Sequence, residues 1–461
     1  MNEQGIISCF KAYDLRGRVP EELDEELSYC LGLALSSEFK PARAAVGMDV
    51  RLSSPVLAGA MIRAFLEQGV EVSDLGLCGT EEVYFVTAGH AFDLGVMFTA
   101  SHNPAEYNGI KIVRRGAVPV SGDSGLVALR DRVLRRDFVQ SGRPRGLLIH
   151  ASFQEEYLDF LRSRLRWSGS RSLRLVMNPG NGCAGPILRK LLRDLPMEAR
   201  IIQEEPDGSF PNGVPNPLLP ERRQDTAEAV RRYRADLGLA WDGDFDRCFF
   251  FDNEGNFIES YYLIGLLAQN LLAEHPGGKI LHDTRLLWNT IEQVREAGGI
   301  PVQWKTGHAF MKEGMRREDT VYGGEMSAHH YFRSFNHCDS GMLPWLHLLE
   351  LLDLGGQSLA ELVAVRSRAY PCSGEINFRV PDARSCVEQI RSALAVEIYS
   401  EDYMDGLSAD CGRWRFNLRS SNTEPLLRLN VESRGNPSLL EDKTAIMERL
   451  IYGCGGKRAD A

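Results

Sequence analysis

The chain has 461 residues, of which 43% are hydrophobic and 25% are charged, and its formal net charge is -10 at pH 7. This length exceeds the ~250 to 300 residues at which one hydrophobic core stops growing, so we expect several domains. The acidic balance argues against a nucleic-acid-binding surface, and no long uncharged apolar run predicts a membrane span.

The N-terminal sequence and the cysteines point to an intracellular protein. The first residues, MNEQGIISCFKAYD, contain no basic stretch followed by an apolar core, so they do not predict export. The ten cysteines are scattered without a CxxC pair, which is typical of free, mostly buried thiols. We therefore expect a cytoplasmic location.

A pattern of apolar strand, polar turn, amphipathic helix and second apolar strand occurs three times. The copies begin at AAVGMDVRLSSP, LRLVMNPGNGCAGP and GKILHDTR. Each copy predicts a β-α-β unit, so we expect three similar α/β domains. After about Arg368, alternating stretches such as RWRFNLR and LLRLNVES indicate a smaller α+β domain.

Turn-forming stretches near HASFQEEY, DNEG and AYPCSGE mark candidate domain boundaries. From them we predict domains over residues 1–150, 151–254, 255–368 and 369–461. None of the boundaries has the composition of a long flexible linker.

The segment TASHNP follows the apolar strand LGVMF. It therefore places the Ser101 hydroxyl at a strand end, where α/β folds bind ligands. The Asn-Pro pair favours a firm turn, which makes Ser101 a candidate nucleophile. Taken alone, such a motif is more often a turn whose side chains bond its own backbone.

Asp242, Asp244 and Asp246 alternate within DGDFDR, between the apolar stretches LGLAW and CFFF. In extended backbone they would point to one side, where three carboxylates repel each other without a cation. Oxygen ligands favour Mg²⁺ over zinc, and Arg247 is placed to hold a phosphate or balance the charge. An EF-hand is excluded because Arg247 stands where that loop needs glycine, whereas a solvated acidic turn is the simpler alternative.

The turn RSSNTEP combines the guanidinium of Arg419 with the short polar side chains of Ser421, Asn422 and Thr423. These groups suit the binding of a phosphate. A plain capped turn is an equally good interpretation of this motif alone.

The loop GGEMSAHHYF carries Glu325, Ser327, His329 and His330, and His308 precedes it in KTGHAF. Glutamate and serine often bind sugar hydroxyls. The adjacent histidines lack the HExxH spacing of a zinc site, so we expect substrate contacts, with core packing of one histidine as the alternative.

The motifs TASHNP, DGDFDR, GEMSAHH and RSSNTEP, taken together, resemble those of the α-D-phosphohexomutase family. FKAYDLRG, GMDVRLSSP, NGIKIVR, PDGSFPNGVPNPLLPE and KTGHAF extend the resemblance over essentially the whole chain, which is most similar to the bacterial phosphomannomutase branch. The resemblance implies an α/β protein of four domains around a central cleft. Three similar α/β domains would be followed by a smaller α+β domain that resembles the TATA-box-binding protein.

The resemblance also implies roles for individual residues. Ser101 would carry the phosphoryl group, and a phosphoserine oxygen would join Asp242, Asp244 and Asp246 as ligands of Mg²⁺. Glu325 and Ser327 would bind sugar hydroxyls, while the nonreacting phosphate would lie on Arg419, Ser421, Asn422 and Thr423. The other residues that it places in the cleft are Tyr13, Arg16, His102, Lys111, Arg247, Arg285, His308 and His329.

Some of these positions stay open. His329 and Lys111 are both candidates for the general acid or base, and the role of the neighbouring His102 is undecided. Phe245 stands where many relatives have glycine, and Arg285 stands where they often have lysine.

The implied reaction interconverts mannose 1-phosphate and mannose 6-phosphate through a phosphoserine and a hexose 1,6-bisphosphate, which would also be the activator. It would feed GDP-mannose and polysaccharide synthesis, in a monomer or weak dimer. Dual activity on mannose and glucose phosphates is the main alternative, because these sugars differ only at the C2 hydroxyl. A metal-dependent sugar phosphatase and a noncatalytic sugar-phosphate sensor are further alternatives, whereas the GEQSGH-like loop of phosphoglucosamine mutases differs from GEMSAHH.

Overall fold

The chain divides into two compact units. The structure, a computed structural model, describes residues 3–166, 172–193, 195, 197–420 and 426–459. Unit 1 comprises Met1–Phe257 and Tyr331–Leu354, and unit 2 comprises Ile258–His330 and Gly355–Ala461. The chain thus leaves unit 1 after Phe257 and returns to it for a short segment.

The first part of unit 1 contains a seven-stranded sheet. Its elements are α1 (Glu3–Cys9), β1 (Leu15–Arg18), α2 (Glu25–Phe39), β2 (Arg43–Met48), α3 (Ser54–Glu67), β3 (Glu71–Leu77), α4 (Thr80–Gly89), β4 (Leu94–Phe98), β5 (Tyr107–Arg114), β6 (Val118–Pro119), α5 (Leu126–Arg135) and β7 (Leu148–His150). The strand order is β1-β5-β4-β2-β3-β7, and β6 pairs with β5. β2 runs parallel to β3 and β4, whereas β5 is antiparallel to β1 and β4. The first predicted β-α-β unit is confirmed as β2-α3-β3.

Helices α2 and α3 bury their apolar faces in the core of this sheet. Leu31 and Leu35 of α2 are spaced four residues apart, and they join Met61 and Phe65 of α3 in one buried cluster. Each such side chain stabilises the fold by roughly 1.5–3 kcal/mol through burial. Every residue of β4 is buried, as expected for a strand in a sheet that is covered on both faces.

The second part of unit 1 contains a five-stranded sheet in the order β12-β11-β10-β8-β9. Its elements are α6 (Gln154–Arg164), β8 (Arg174–Asn178), α7 (Ala184–Leu192), β9 (Glu198–Ile201), α8 (Gln224–Tyr233), β10 (Leu237–Trp241), β11 (Cys248–Phe251) and β12 (Phe257–Ile258). β8 runs parallel to β9 and β10, which confirms the second β-α-β unit as β8-α7-β9. β11 is antiparallel to β10, and both strands are entirely buried. Residues 242–247 therefore connect two core strands.

The next elements belong to unit 2, except for the segment Tyr331–Leu354, which belongs to unit 1. They are α9 (Ser260–Glu274), β13 (Lys279–His282), α10 (Trp288–Glu296), β14 (Ile300–Gln303), α11 (His308–Glu318), β15 (Tyr322–Gly324), β16 (His330–Phe332), β17 (Cys338–Asp339), α12 (Leu343–Gly355) and α13 (Leu359–Ala369). In unit 2, β13 runs parallel to β14 and β15, which confirms the third β-α-β unit as β13-α10-β14. In unit 1, Tyr331 and Phe332 pair antiparallel with Asp339 and Cys338.

The rest of unit 2 contains a six-stranded sheet in the order β19-β20-β21-β22-β18-β23. Its elements are β18 (Cys372–Arg379), α14 (Ala383–Ala393), β19 (Ser400–Asp402), β20 (Leu407–Asp410), β21 (Trp414–Ser420), β22 (Leu427–Ser433), α15 (Pro437–Gly453) and β23 (Lys457–Arg458). The pairings are antiparallel, and α14 and α15 supply Ile390, Met447 and Ile451 to the core. The predicted class is confirmed, since three α/β regions precede a smaller α+β region.

Two further predictions concern the cysteines and the membrane. All ten cysteines lie in the described part of the chain as free thiols; seven are buried, and Cys372, Cys411 and Cys454 are half-buried. Among the described residues, every helix is too short or too polar to cross a bilayer.

Candidate active site

Ser101 lies in the turn after β4 and faces a carboxylate of the next sheet. Its φ is 50°, which few residues other than glycine adopt. Its backbone N–H donates to Thr99 Oγ1 at 2.8 Å, and its Oγ donates to Asp242 Oδ2 at 2.6 Å. The side chain is thus held with its hydroxyl toward the acidic loop.

The three aspartates of the acidic loop converge. Asp242, Asp244 and Asp246 are fully buried, and they offer ligand atoms that lie within 4.8 Å of one another. Asp244 Oδ1 is buried without a hydrogen bond to the described residues. Three buried carboxylates with an unbonded oxygen fit a hard divalent cation such as Mg²⁺.

The carboxylates converge for a different reason from the one that we expected. From the alternating aspartates we expected extended backbone. Residues 242–247 instead form a tight turn, in which the Phe245 N–H donates to Asp242 O at 3.2 Å. Phe245 has a φ of 45°, a region that glycine adopts more readily than other residues. The turn, rather than a strand, brings the aspartates together.

Two buried cations partly balance the trio. Lys111 Nζ lies 2.7 Å from Asp244 Oδ2 and 2.5 Å from Asp246 Oδ2. Arg247 donates to Asp242 Oδ2 from Nε at 2.9 Å and from Nη2 at 2.7 Å, and Nη2 also donates to Ser101 Oγ at 3.1 Å. When all three carboxylates are ionised, the two cations do not fully balance them. A divalent metal ion would give the whole group a net positive charge.

The protonation of this group follows from burial and from these neighbours. Burial raises the pKa of Asp242, Arg247 lowers it, and Asp246 and Asp244 raise it, so that the pKa stands at about 7. Burial and Asp246 raise the pKa of Asp244, but Lys111 and the Thr80 hydroxyl together hold this pKa below its ordinary value. Burial lowers the pKa of Lys111, yet Asp244 and Asp246 together hold it well above its ordinary value. Lys111 is therefore a persistent cation.

The sequence did not predict the role of Thr80. It begins α4, and its Oγ1 donates to Asp244 Oδ2 at 2.5 Å while its N–H donates to Asp244 O at 3.0 Å. In the sequence, the short segment GTEE indicates only that a helix begins there.

Arg16 and His102 adjoin the Ser101 turn. Arg16 Nη1 donates to Ala100 O at 2.9 Å and to Asn103 Oδ1 at 2.5 Å. His102 Nδ1 lies 3.0 Å from Ser101 Oγ and 2.5 Å from Arg247 Nη2. Tyr13 belongs to the segment between α1 and β1 and contributes to the electrostatic environment of Arg16.

In unit 2, the predicted sugar-binding residues form their own cluster after β15. Glu325 Oε1 accepts the Gly307 N–H at 2.8 Å, and Glu325 Oε2 lies 3.5 Å from His329 Nδ1. Ser327 Oγ lies 3.3 Å from the same nitrogen, and the His308 and His329 rings stack with centroids 6.1 Å apart. His330 instead packs in the core, where its Nδ1 lies 2.6 Å from the hydroxyl of Tyr322.

Three arginines of unit 2 surround Glu375, a residue that the sequence did not single out. Arg285 Nη1 and Arg419 Nη2 lie 3.4 and 3.1 Å from Glu375 Oε2, and Arg428 Nη1 lies 3.0 Å from Oε1. Burial raises the pKa of Glu375, but the arginines prevail and lower it to about 2. Arg285 also donates to Ser327 Oγ at 3.4 Å. The predicted phosphate-binding residues Ser421, Asn422 and Thr423 lie outside the described residues.

Comparisons with known proteins cover the whole length. The models of phosphoglucomutase/phosphomannomutase α/β/α domains I, II and III match residues 8–138, 155–255 and 259–370, and the C-terminal domain model matches 375–448. A Xanthomonas campestris pv. campestris protein described as phosphohexose mutases is 55% identical over 447 residues, 97% of this chain and 100% of that protein. The phosphomannomutase of Salmonella typhimurium is 50% identical over 451 residues, covering 96% and 99% of the two chains.

A solved structure from a bacterium has the same architecture over almost its whole length. The phosphoglucomutase/phosphomannomutase family protein of Burkholderia thailandensis superimposes with a TM-score of 0.87 at 29% identity. The superposition covers 98% of this chain and 99% of that one.

Proposed function

This chain belongs to the phosphoglucomutase/phosphomannomutase family, an enzyme family of intramolecular phosphotransferases, and we propose that it interconverts mannose 1-phosphate and mannose 6-phosphate. The observation that carries the proposal is the Ser101 hydroxyl, 2.6 Å from Asp242 and bonded by Arg247. The relatives at 50% identity that are named phosphomannomutase support the choice of mannose.

We propose that Asp242, Asp244 and Asp246 hold Mg²⁺ together with an oxygen of phosphorylated Ser101. The buried, unbonded Asp244 Oδ1 and the all-oxygen donor set support this assignment. When bound, the metal supplies positive charge to the phosphoryl oxygens.

The cations of unit 1 would position and stabilise the transferring group. When a sugar hydroxyl attacks phosphorus, the bond from phosphorus to Ser101 Oγ breaks, and Arg247 Nη2 holds the departing oxygen. Lys111 and Arg16 add charge near a transition state that needs positioning more than covalent help.

A base must take the proton of the attacking hydroxyl and return it in the reverse step. Lys111 Nζ is already bonded to Asp244 Oδ2 and Asp246 Oδ2, two of the proposed metal ligands, which makes it the poorer candidate for the acceptor. His329 is therefore our first candidate, and His102, 3.0 Å from Ser101 Oγ, is the second.

The remaining predicted residues would bind the substrate. We assign the sugar hydroxyls to Glu325 and Ser327, with Arg285, His308 and Tyr13 as further contacts. We assign the nonreacting phosphate to Arg419, Ser421, Asn422 and Thr423. A hexose 1,6-bisphosphate that turns around between two transfers would present either phosphate to the same site, and it would also serve as activator.

Dual specificity is the second candidate function. The relative at 55% identity is described as phosphohexose mutases rather than as a phosphomannomutase. Mannose and glucose differ only in the configuration at C2. Because the bisphosphate intermediate turns around during the reaction, the enzyme cannot easily recognise the C2 hydroxyl in one fixed position. In either case the product mannose 1-phosphate would supply GDP-mannose synthesis.

The test is conversion of mannose 1-phosphate to mannose 6-phosphate with Mg²⁺ and catalytic hexose 1,6-bisphosphate, with glucose 1-phosphate in parallel. We expect Ser101→Ala to abolish isomerisation, and Ser28→Ala, a buried serine that donates to Leu57 O, to leave it unchanged. Isomerisation that persists in Ser101→Ala would refute the phosphoserine mechanism. Release of inorganic phosphate in excess of isomerisation would favour a phosphatase.

A further inference from the structure

The motif GMDVRLSSP contributes a buried arginine to the turn that carries Ser101. Arg51 follows β2, and 1% of its surface is exposed. β2 and β4 are parallel neighbours, so the residues after Met48 and those after Phe98 meet at the same edge of the sheet. In the sequence, this motif stands out only as part of the family resemblance.

The Arg51 guanidinium donates to four backbone carbonyls of one turn. Nη2 donates to Ser101 O at 3.1 Å and to Asn103 O at 2.6 Å. Nη1 donates to Pro104 O at 2.8 Å and to Tyr107 O at 2.9 Å. Because the guanidinium is planar and rigid, the four bonds fix these carbonyls relative to one another.

Asp49 and the start of α3 hold Arg51 in turn. Asp49 Oδ2 lies 3.3 Å from Arg51 Nε, and Asp49 Oδ1 accepts the Arg51 N–H at 2.9 Å and the Ser54 hydroxyl at 2.7 Å. Asn108 Nδ2 donates to the same serine oxygen at 2.9 Å. The arginine is thereby anchored both to α3 and to β5.

The carbonyl of Ser101 also adjoins the acidic loop. A Cβ on Gly243 would lie 2.7 Å from Ser101 O, so the two backbones are in direct contact. Ser101 has a φ of 50°, and a residue in this region keeps its conformation only when its surroundings impose it. A shift of this carbonyl would displace the hydroxyl from Asp242.

We infer that Arg51 is a positioning residue for phosphoryl transfer, which holds Ser101 toward Asp242 and Arg247 through the carbonyls of its turn. The inference rests on the proposed role of Ser101 as the phosphoryl carrier. Arg16 binds Ala100 O and the Asn103 side chain, so the turn lies between two guanidinium groups, of which Arg51 is the buried one.

The test compares Arg51→Lys, Arg51→Ala and Arg223→Lys in the full-length enzyme. Arg223 is the matched control because it also donates to two backbone carbonyls, those of Pro217 and Leu218, in another turn. For each variant we would measure kcat, KM and the single-turnover rate of phosphate transfer from hexose 1,6-bisphosphate to Ser101. Mass spectrometry of the isolated proteins would report phosphate on Ser101.

Arg51→Lys keeps the positive charge but loses the planar guanidinium that binds four carbonyls at once. We therefore expect kcat and the single-turnover rate to fall together. A displacement of about 1 Å costs roughly 100-fold, whereas KM should change less than about twofold. Arg223→Lys should match the wild type. Millimolar guanidinium should restore part of the activity of Arg51→Ala, and ammonium should not.

Arg51→Lys with a wild-type kcat, or with a higher KM at a wild-type kcat, would overturn the inference. If Arg51→Ala fails to fold, Arg51→Lys decides the question by itself. A wild-type protein that isomerises the substrate without phosphate on Ser101 would overturn the proposed mechanism, and the inference with it. If the wild type carries phosphate on Ser101 and Arg51→Lys is as active as the wild type, the inference about Arg51 is wrong but the proposed mechanism stands.

Discussion

Phe245 and Gly79 show how one side chain constrains a distant position. Phe245 is fully buried, and a Cβ built on Gly79 would lie 2.0 Å from its Cε1 atom. Gly79 has an extended backbone, so space and not conformation requires glycine here. Where relatives have glycine at the position of Phe245, we expect position 79 to tolerate larger residues.

We predict that Gly79→Ala destabilises the protein by roughly 1–3 kcal/mol, the usual cost of overpacking a core. In a Phe245→Gly background the same change should cost less than about 0.5 kcal/mol, since the clash is gone. Urea unfolding of the four proteins would measure this coupling. Gly89→Ala, at the other end of α4 with open space around it, is the control, and equal costs in both backgrounds would refute the explanation.

The carboxylate of Glu375 separates charges that would otherwise repel. Arg419 of β21 lies directly opposite Arg428 of β22, a pairing of like charges that is unfavourable by itself. Glu375, on the neighbouring strand β18, contacts both residues. Its ionised form therefore stabilises the sheet.

This contact predicts a pH dependence of stability. The pKa of Glu375 falls from an ordinary 4.5 to about 2 on folding, so its contribution is complete above pH 4.5 and is lost as pH falls toward 2. We expect the difference in unfolding free energy between wild type and Glu375→Gln to be about 1–2 kcal/mol smaller at pH 3 than at pH 7. Urea unfolding at the two pH values tests this, with the exposed Glu388→Gln as control. A difference independent of pH would contradict it.

At the scale of elements, α4 links the first sheet of unit 1 to the acidic loop that we propose binds the metal ion. Its first residue, Thr80, bonds Asp244 through both its side chain and its backbone. Groups that orient metal ligands in this way commonly change metal affinity 10- to 100-fold when removed.

We predict that Thr80→Val raises the Mg²⁺ concentration for half-maximal activity roughly 10-fold and changes kcat at saturating Mg²⁺ less than about twofold. Thr87→Val is the matched control, because Thr87 is equally buried in α4 but donates to Val83 O within the helix. A titration of activity against Mg²⁺ measures both variants. An unchanged Mg²⁺ dependence would contradict the role of Thr80 in orienting Asp244.

The elements that sequence reasoning predicted well are those with a strong local pattern. The three β-α-β units repeat apolar spacings that change from strand to helix, and the structure confirms all three. The antiparallel part of the first sheet, in which β1 pairs with β5 and β5 pairs with β4, depends on pairings between distant residues. No local pattern specifies such a pairing, so these pairings were not predicted.

At the scale of the whole molecule, motif resemblance named the candidate site residues but not the contacts that hold them. It named Ser101 and the three aspartates, included Arg51 only within the motif GMDVRLSSP, and gave no sign of Thr80 or Glu375. The contacts of these three residues form only when separate segments pack. The same holds for the return of Tyr331–Leu354 to unit 1, where Trp241 Nε1 donates to Gly341 O at 2.8 Å. The three predicted domain boundaries remain predictions.

The distribution of free thiols gives each unit its own chemical label. Unit 1 contains six buried cysteines, and unit 2 contains buried Cys386 with three half-buried ones. A small alkylating reagent would therefore mark the half-buried thiols of the native enzyme first and reach the others only when their unit opens. Peptide mapping after timed alkylation in dilute urea would then show whether the two units unfold together or in sequence.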